Sequence, residues 1–245
     1  MNRFSNQPYA MTKYVKWILI SNVVIWMVFQ TLLGLVSEIN INHYFALYPG
    51  KVLVDFAIWQ PLTYMFLHSS SVTHIVFNML TLWMIGGELE TRWGSRFFVT
   101  YYLISGVGAG LLYVLGVGVY SYMTGSQSGL FVPVVGASGA IFGLLVAYGL
   151  LFGERTMLFM MMFPMKAKHF VMLLGAIEFF SLLSSGTKGN DVAYLAHLGG
   201  LITGYLTLTT HTKLKQKQWS ASKKKRGNLK LVVDNDKKNE PKYWN

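Results

Sequence analysis

Apolar residues in this chain run in long blocks, and most charged residues fall between the blocks. Six blocks are long or apolar enough to cross a bilayer, at roughly 17–36, 72–90, 96–119, 138–153, 169–186 and 192–210, against about 20 residues for a spanning helix. The pattern predicts six helices, the fourth and fifth of them short. Between those two lies MLFMMMFPM (157–165), apolar but too short to span, closed by Pro164 and followed by Lys166 and Lys168. It fits either an interfacial segment or an extension of a neighbouring helix.

Composition points the same way: 53% of residues are hydrophobic, 13% are charged, and mean hydropathy is positive. The expected class is an all-α polytopic membrane protein. Residues 213–245 hold 11 of the 21 lysines and arginines, so the net charge of +11 describes the tail more than the body. Cytoplasmic flanks collect Lys and Arg. With six spans and an internal N-terminus, the inside receives Arg3, Lys13 and Lys16, then Arg92 and Arg96, then Arg155, Lys166 and Lys168, then the tail. Only Lys51 and Lys188 face outward. A seventh span at 157–165 would send the basic tail outward, so six is preferred. No small-residue cleavage pattern follows the first apolar run, which predicts a retained first span rather than a removable signal peptide. The expected organisation is a cytoplasmic segment 1–16, a membrane domain 17–211 and a basic, disordered cytoplasmic tail 212–245. The tail's expected role is topological, with anionic lipid headgroups as an additional partner. No base-reading motif accompanies its charge, and no nucleic acid is expected.

Two stretches expected on the outer side are unusually apolar. Residues 37–71 contain FALYPGKVLVDFAIWQPLTYMFLH, which suits a loop lying in the membrane interface. Residues 120–137 carry no charge and end with Pro133 and Gly136 shortly before Ser138. Irregular backbone at membrane depth needs burial in protein or a water-filled cavity beside it. The chain is therefore expected to dip into the outer leaflet and begin its fourth helix there.

The absence of cysteine excludes thiolate nucleophiles, thiolate metal sites and disulfides. No His is followed by Glu, so an HExxH zinc site is missing, and no Asp lies in a confident span, which leaves an aspartyl dyad unsupported. Neither a metal nor a cofactor is implied. Serine chemistry remains. Ser138, in Gly136-Ala137-Ser138-Gly139, stands where a glycine-bearing loop meets an apolar helix, whose unpaired N–H groups and positive partial charge favour an oxyanion. Taken alone the motif favours helix packing, because small residues crowd membrane-helix interfaces. His197 changes the balance. It lies roughly 7–8 Å below the outer end of the sixth helix, near the depth of Ser138. Gly200 and Gly204 follow on its face, and Gly139 and Gly143 repeat that spacing on the fourth helix, so two small-residue faces can bring imidazole to hydroxyl. A histidine bonded across a helix interface is the alternative, although an ionisable residue in a span is a functional candidate by default. On the second helix His74 and Asn78, spaced i, i+4, share one face near the outer end, and both can donate to an oxyanion. A role in satisfying nearby loop backbone has comparable weight for that pair alone.

Together GxSG, AHxxGxxxG and HxxxN, on helices four, six and two, resemble the rhomboid family of intramembrane serine proteases over roughly residues 15–210. The resemblance implies a six-transmembrane-helix rhomboid-like bundle and a Ser–His pair without an acidic third member. Ser138 is then the nucleophile and His197 the general base, with the oxyanion held by His74, Asn78 and the Ser138 N–H. Phe142 matches the aromatic position that supports the imidazole; ordinary packing is its alternative. The resemblance further implies an acyl-enzyme intermediate, transmembrane segments of client proteins as substrates, the lipid bilayer as surroundings, and a bacterial inner membrane with both termini cytoplasmic. His68 and the run Gly86 to Arg92 also match, and are read as structural. Trp59-Gln60 stands where the family often has Trp-Arg, which removes an Arg anchor from the first loop. Glu178, an isolated carboxylate in the fifth span, is read as a structural glutamate, with tuning of a pH response as the alternative. A non-catalytic member of the fold would lack Ser138 or His197. A channel would spread polar residues toward both faces, whereas this cluster gathers in the outer half.

Overall fold

The computed structural model describes residues 11–37, 39–159, 163–185 and 192–226, in two compact units divided between Leu208 and Thr209. The first unit opens with a continuous helix over Lys13–Val36, in which α1 (Lys13–Val24) passes through a π-helical stretch, Ile25–Leu32, into α2 (Leu33–Val36). Three short helices, α3 (Asn42–Phe45), α4 (Pro49–Leu53) and α5 (Gln60–Thr63), divide the aromatic loop that follows. Then come α6 (Val72–Trp93), α7 (Ser95–Thr124), α8 (Ser138–Leu151), the strands β1 (Thr156–Phe159) and β2 (Phe163–Lys166), α9 (Ala167–Ser185) and α10 (Val192–Arg226). Four helices among the described residues are long and apolar enough to cross a bilayer: Lys13–Val36, Val72–Trp93, Ser95–Thr124 and Ala167–Ser184. The architecture is that of a helical integral membrane protein.

The 14 residues of α8 rise about 21 Å, less than a hydrocarbon core of about 30 Å. A helix apolar on every face is stable only where neighbours or lipid cover it. Here every residue from Gly139 to Leu145 is buried, and α6, α7 and α9 pack around it. The ends of the surrounding helices are tied by one carboxylate. Buried Glu90, near the end of α6, accepts from the Thr12 hydroxyl and the Tyr14 and Val15 N–H groups at the start of α1, and from the Ser95 hydroxyl at the start of α7. Negative charge is favoured where helix N–H groups lack partners.

Two expectations change. The described residues of 157–165 do not extend a helix: β1 and β2 pair antiparallel, with Leu158 opposite Pro164. Pro164 lacks the N–H a helix interior needs, but is tolerated in an edge strand. The tail was expected to be disordered from 212, yet α10 continues to Arg226. Lys, Leu, Gln and Ala are good helix formers, and extending an existing helix avoids a new nucleus; residues 227–245 lie outside the described part.

The loop over 37–71 is pinned to the segment before α8 by paired backbone bonds between Leu47 and Val134, each 3.0 Å. Its outer face exposes Val54, Phe56 and Ile58, the surface an interfacial loop needs.

Candidate active site

The chain enters α8 through Gly136, whose φ of 129° is open only to glycine. A Cβ there would meet His74 Nε2 at 3.0 Å and Ser138 Oγ at 3.5 Å, so the glycine also keeps the space between those two groups clear. The Gly136 N–H donates to the Tyr64 carbonyl at 3.0 Å, fixing the loop as it turns into the helix. Ser138 is the first residue of α8, so its own N–H and those of Gly139 and Ala140 have no partners within the helix, whose ladder begins with the Ile141 N–H on the Ala137 carbonyl.

His197 approaches from α10, and its Nε2 lies 2.8 Å from Ser138 Oγ. The approach depends on the glycine faces. A Cβ on Gly200 would fall 2.0 Å from the Gly139 carbonyl oxygen, and one on Gly204 would fall 2.6 Å from Gly143 Cα. The two backbones therefore touch where the GxxxG spacing placed them. Phe142, one turn into α8, stacks on the His197 ring with centroids 4.4 Å apart and planes 13° apart, which fixes the ring's tilt. Tyr101 adds a brace from α7, its hydroxyl donating to the Gly143 carbonyl at 2.9 Å.

His74 and Asn78 occupy the first turns of α6. The Ser69 N–H donates to His74 Nδ1 at 3.3 Å, and the Ser69 hydroxyl lies 3.0 Å from the same nitrogen. A backbone N–H can only donate, so Nδ1 is the acceptor and neutral His74 carries its proton on Nε2, the nitrogen beside Gly136. That N–H faces the Ser138 hydroxyl across the gap. Asn78 is less directly aimed. Its amide donates to the His74 carbonyl at 2.9 Å, leaving one further N–H on the same nitrogen.

His68 supports this arrangement from the loop. Its ring is buried and meets that of His74 edge-on at 5.3 Å, and burial, with His74 beside it, pushes its imidazole down to about 4. Gln30 clamps its backbone, accepting from the His68 N–H and donating to the His68 carbonyl. Gln60 is an anchor in its own right: it accepts from the Tyr48 N–H at 3.0 Å and donates to the Tyr44 carbonyl at 3.2 Å.

Residues 55–213 match the model of the Rhomboid domain, well over half of the chain. The chain belongs to the rhomboid family. Among its relatives, Rhomboid protein 1, mitochondrial, of Saccharomyces cerevisiae is 32% identical over 133 residues, covering 54% of this chain and 36% of the yeast protein. Rhomboid protease GlpG of Serratia proteamaculans is 33% identical over 151 residues, 61% of this chain and 46% of that protein. The GlpG of Yersinia pseudotuberculosis is 27% identical over 209 residues, 82% of this chain and 68% of its own length. The matched region thus spans less than half the length of the first two relatives.

One contact in this rhomboid was not foreseen. Glu178 Oε2 lies 3.0 Å from His197 Nδ1, on the side of the ring away from Ser138. Nineteen residues and a change of helix separate the two, so no motif spacing links them. The available signal was the carboxylate itself, buried in an otherwise apolar span.

Proposed function

We propose that this chain is an intramembrane serine endopeptidase, multi-pass in a bacterial inner membrane, that cleaves transmembrane segments of client proteins. The reading rests on one observation above the others: a serine at a helix start, 2.8 Å from an imidazole nitrogen, in the interior of a membrane protein. Family membership and the printed names of the protease relatives support it. A six-span body over 17–211, with 1–16 and the basic tail 212–245 cytoplasmic, is the topology we infer; α8 and the apolar half of α10 supply the two spans beyond the four that length and composition identify.

In this mechanism Ser138 Oγ attacks the client carbonyl carbon while His197 Nε2 takes the hydroxyl proton. The carbonyl electron pair moves onto oxygen. The oxyanion is met by His74 Nε2–H, the Asn78 amide and the N–H of Ser138, with the field of the α8 N-terminus behind them. Collapse breaks the C–N bond, and His197 returns the proton to the leaving amine. Water, deprotonated by the same imidazole, then releases the acyl group. Gly136 leaves room for the client backbone beside Ser138, Gly139 lets α10 come up against α8, and Phe142, Gly200 and Gly204 hold the imidazole in place.

The test is cleavage of a single-span client by purified protein in liposomes. Wild type is expected to cut, and Ser138→Ala and His197→Ala to lose about 10³-fold or more in kcat. Cleavage by Ser138→Ala at the wild-type rate would end this reading.

A further inference from the structure

Glu178 is buried within α9, where α8 packs against it. A carboxylate so placed is costly unless a positive or hydrogen-bonding group faces it. Among the described residues His197 is the only basic group within ion-pair distance, with Nδ1 and Oε2 3.0 Å apart. The other nitrogen of that ring meets Ser138, and Phe142 covers one face of the ring. The imidazole is thus held at three points, from α8 twice and from α9 once. The contact is close but out of line, since neither Nδ1 nor Oε2 makes an aligned hydrogen bond. Such bonds are often poorly aligned in an unliganded site and tighten in the substrate complex.

We propose that Glu178 is a positioning residue for His197, completing a Ser138–His197–Glu178 series in place of a bare Ser–His pair. The inference rests on the protease reading above. The carboxylate accepts from Nδ1–H, which selects the tautomer whose Nε2 is free to take the Ser138 proton. When that proton arrives, the negative charge stabilises the imidazolium. The proton itself stays on the ring until it passes to the leaving amine and is not relayed to Glu178. A buried glutamate serving only packing would tolerate glutamine, which has the same shape and can still form hydrogen bonds. A positioning role would not, because the amide lacks the charge and can turn its NH2 toward Nδ1, selecting the wrong tautomer.

Steady-state cleavage in liposomes by wild type, Glu178→Gln, Glu178→Asp and Ser138→Ala separates these cases. The expected result for Glu178→Gln is a kcat lower by about 10²-fold, with KM within twofold of wild type and the thermal midpoint unchanged; Glu178→Asp recovers part of the rate. Undiminished kcat in Glu178→Gln, alongside a wild type that cuts and a Ser138→Ala that does not, overturns the inference alone. A wild type that cuts nothing overturns the protease reading instead. Nitrogen-15 NMR of histidine-labelled protein in nanodiscs, with His197→Ala for assignment, gives a readout independent of turnover and of whether Glu178→Gln folds. A hydrogen-bonded Nδ1–H on His197 in wild type supports the inference, and a neutral His197 protonated on Nε2 overturns it.

Discussion

His74 illustrates how much one residue's surroundings decide. The Ser69 N–H takes up Nδ1 and leaves Nε2–H facing the gap above Gly136. A donor aimed at charge that develops only in the transition state affects kcat more than KM. His74→Ala is therefore expected to lower kcat by about 10²- to 10³-fold with KM little changed, measured by client cleavage in liposomes; a loss confined to KM would assign His74 to ground-state binding instead. His68 predicts a pH effect on stability. Its folded imidazole is depressed to about 4 from an ordinary value of 6.5. Between these values the unfolded chain binds a proton that the folded chain refuses, so stability is full above about pH 6.5 and falls as pH drops toward 4. That gap sets an upper bound of a few kcal/mol on the effect. Thermal midpoints in micelles are expected to fall between pH 7 and pH 4.5, and His68→Asn to remove this part of the slope; an equal slope in the variant would assign the effect elsewhere. His74, Asn78 and His68 were each legible in the sequence as polar residues around one helix start. The direction of each donor was not, because it depends on Ser69 and on rotamers no spacing encodes.

Between elements, the decisive contact is the glycine seam of α8 and α10. Its residues were legible because small residues spaced by four form a recognisable face. At Gly200 an added methyl would meet the Gly139 carbonyl oxygen, part of a backbone that cannot step aside. At Gly175 on α9 it would find only ordinary contact with Leu201, at 3.4 Å. Gly200→Ala is expected to destabilise the fold by about 1–3 kcal/mol or more and to separate His197 from Ser138, whereas Gly175→Ala is expected to be neutral or slightly stabilising. Unfolding in mixed micelles checks both, and equal midpoints for the two variants would contradict the close seam. The rotation of α9 was not legible. Met172 and Phe180 are exposed on the same helix that buries Glu178, yet lipid-facing and protein-facing residues of a membrane helix are both apolar, so no polar stripe reveals which face turns inward. The pairing of β1 with β2 was missed for a related reason: a short apolar run has no period long enough to separate strand from helix.

For the molecule as a whole, charge carried the topology argument, and the lack of cysteine makes that argument easy to check. Lys51→Cys is expected to react with a membrane-impermeant maleimide on intact cells, and Lys217→Cys only after permeabilisation; the reverse pattern would invert the proposed orientation. The helical continuation of α10 to Arg226 was hidden by the same charge on which the proposed topology rests, since a basic, polar composition reads as tail whether or not it is wound. The central claim is that the Ser138 hydroxyl is activated by His197 within the membrane. Its most direct measurement is covalent labelling of the protein in lipid by a fluorophosphonate, with the adduct mapped by mass spectrometry. The account predicts one adduct, on Ser138, abolished in Ser138→Ala and at least tenfold slower in His197→Ala. Labelling at another residue, or at Ser138 with equal speed when His197 is absent, would contradict it.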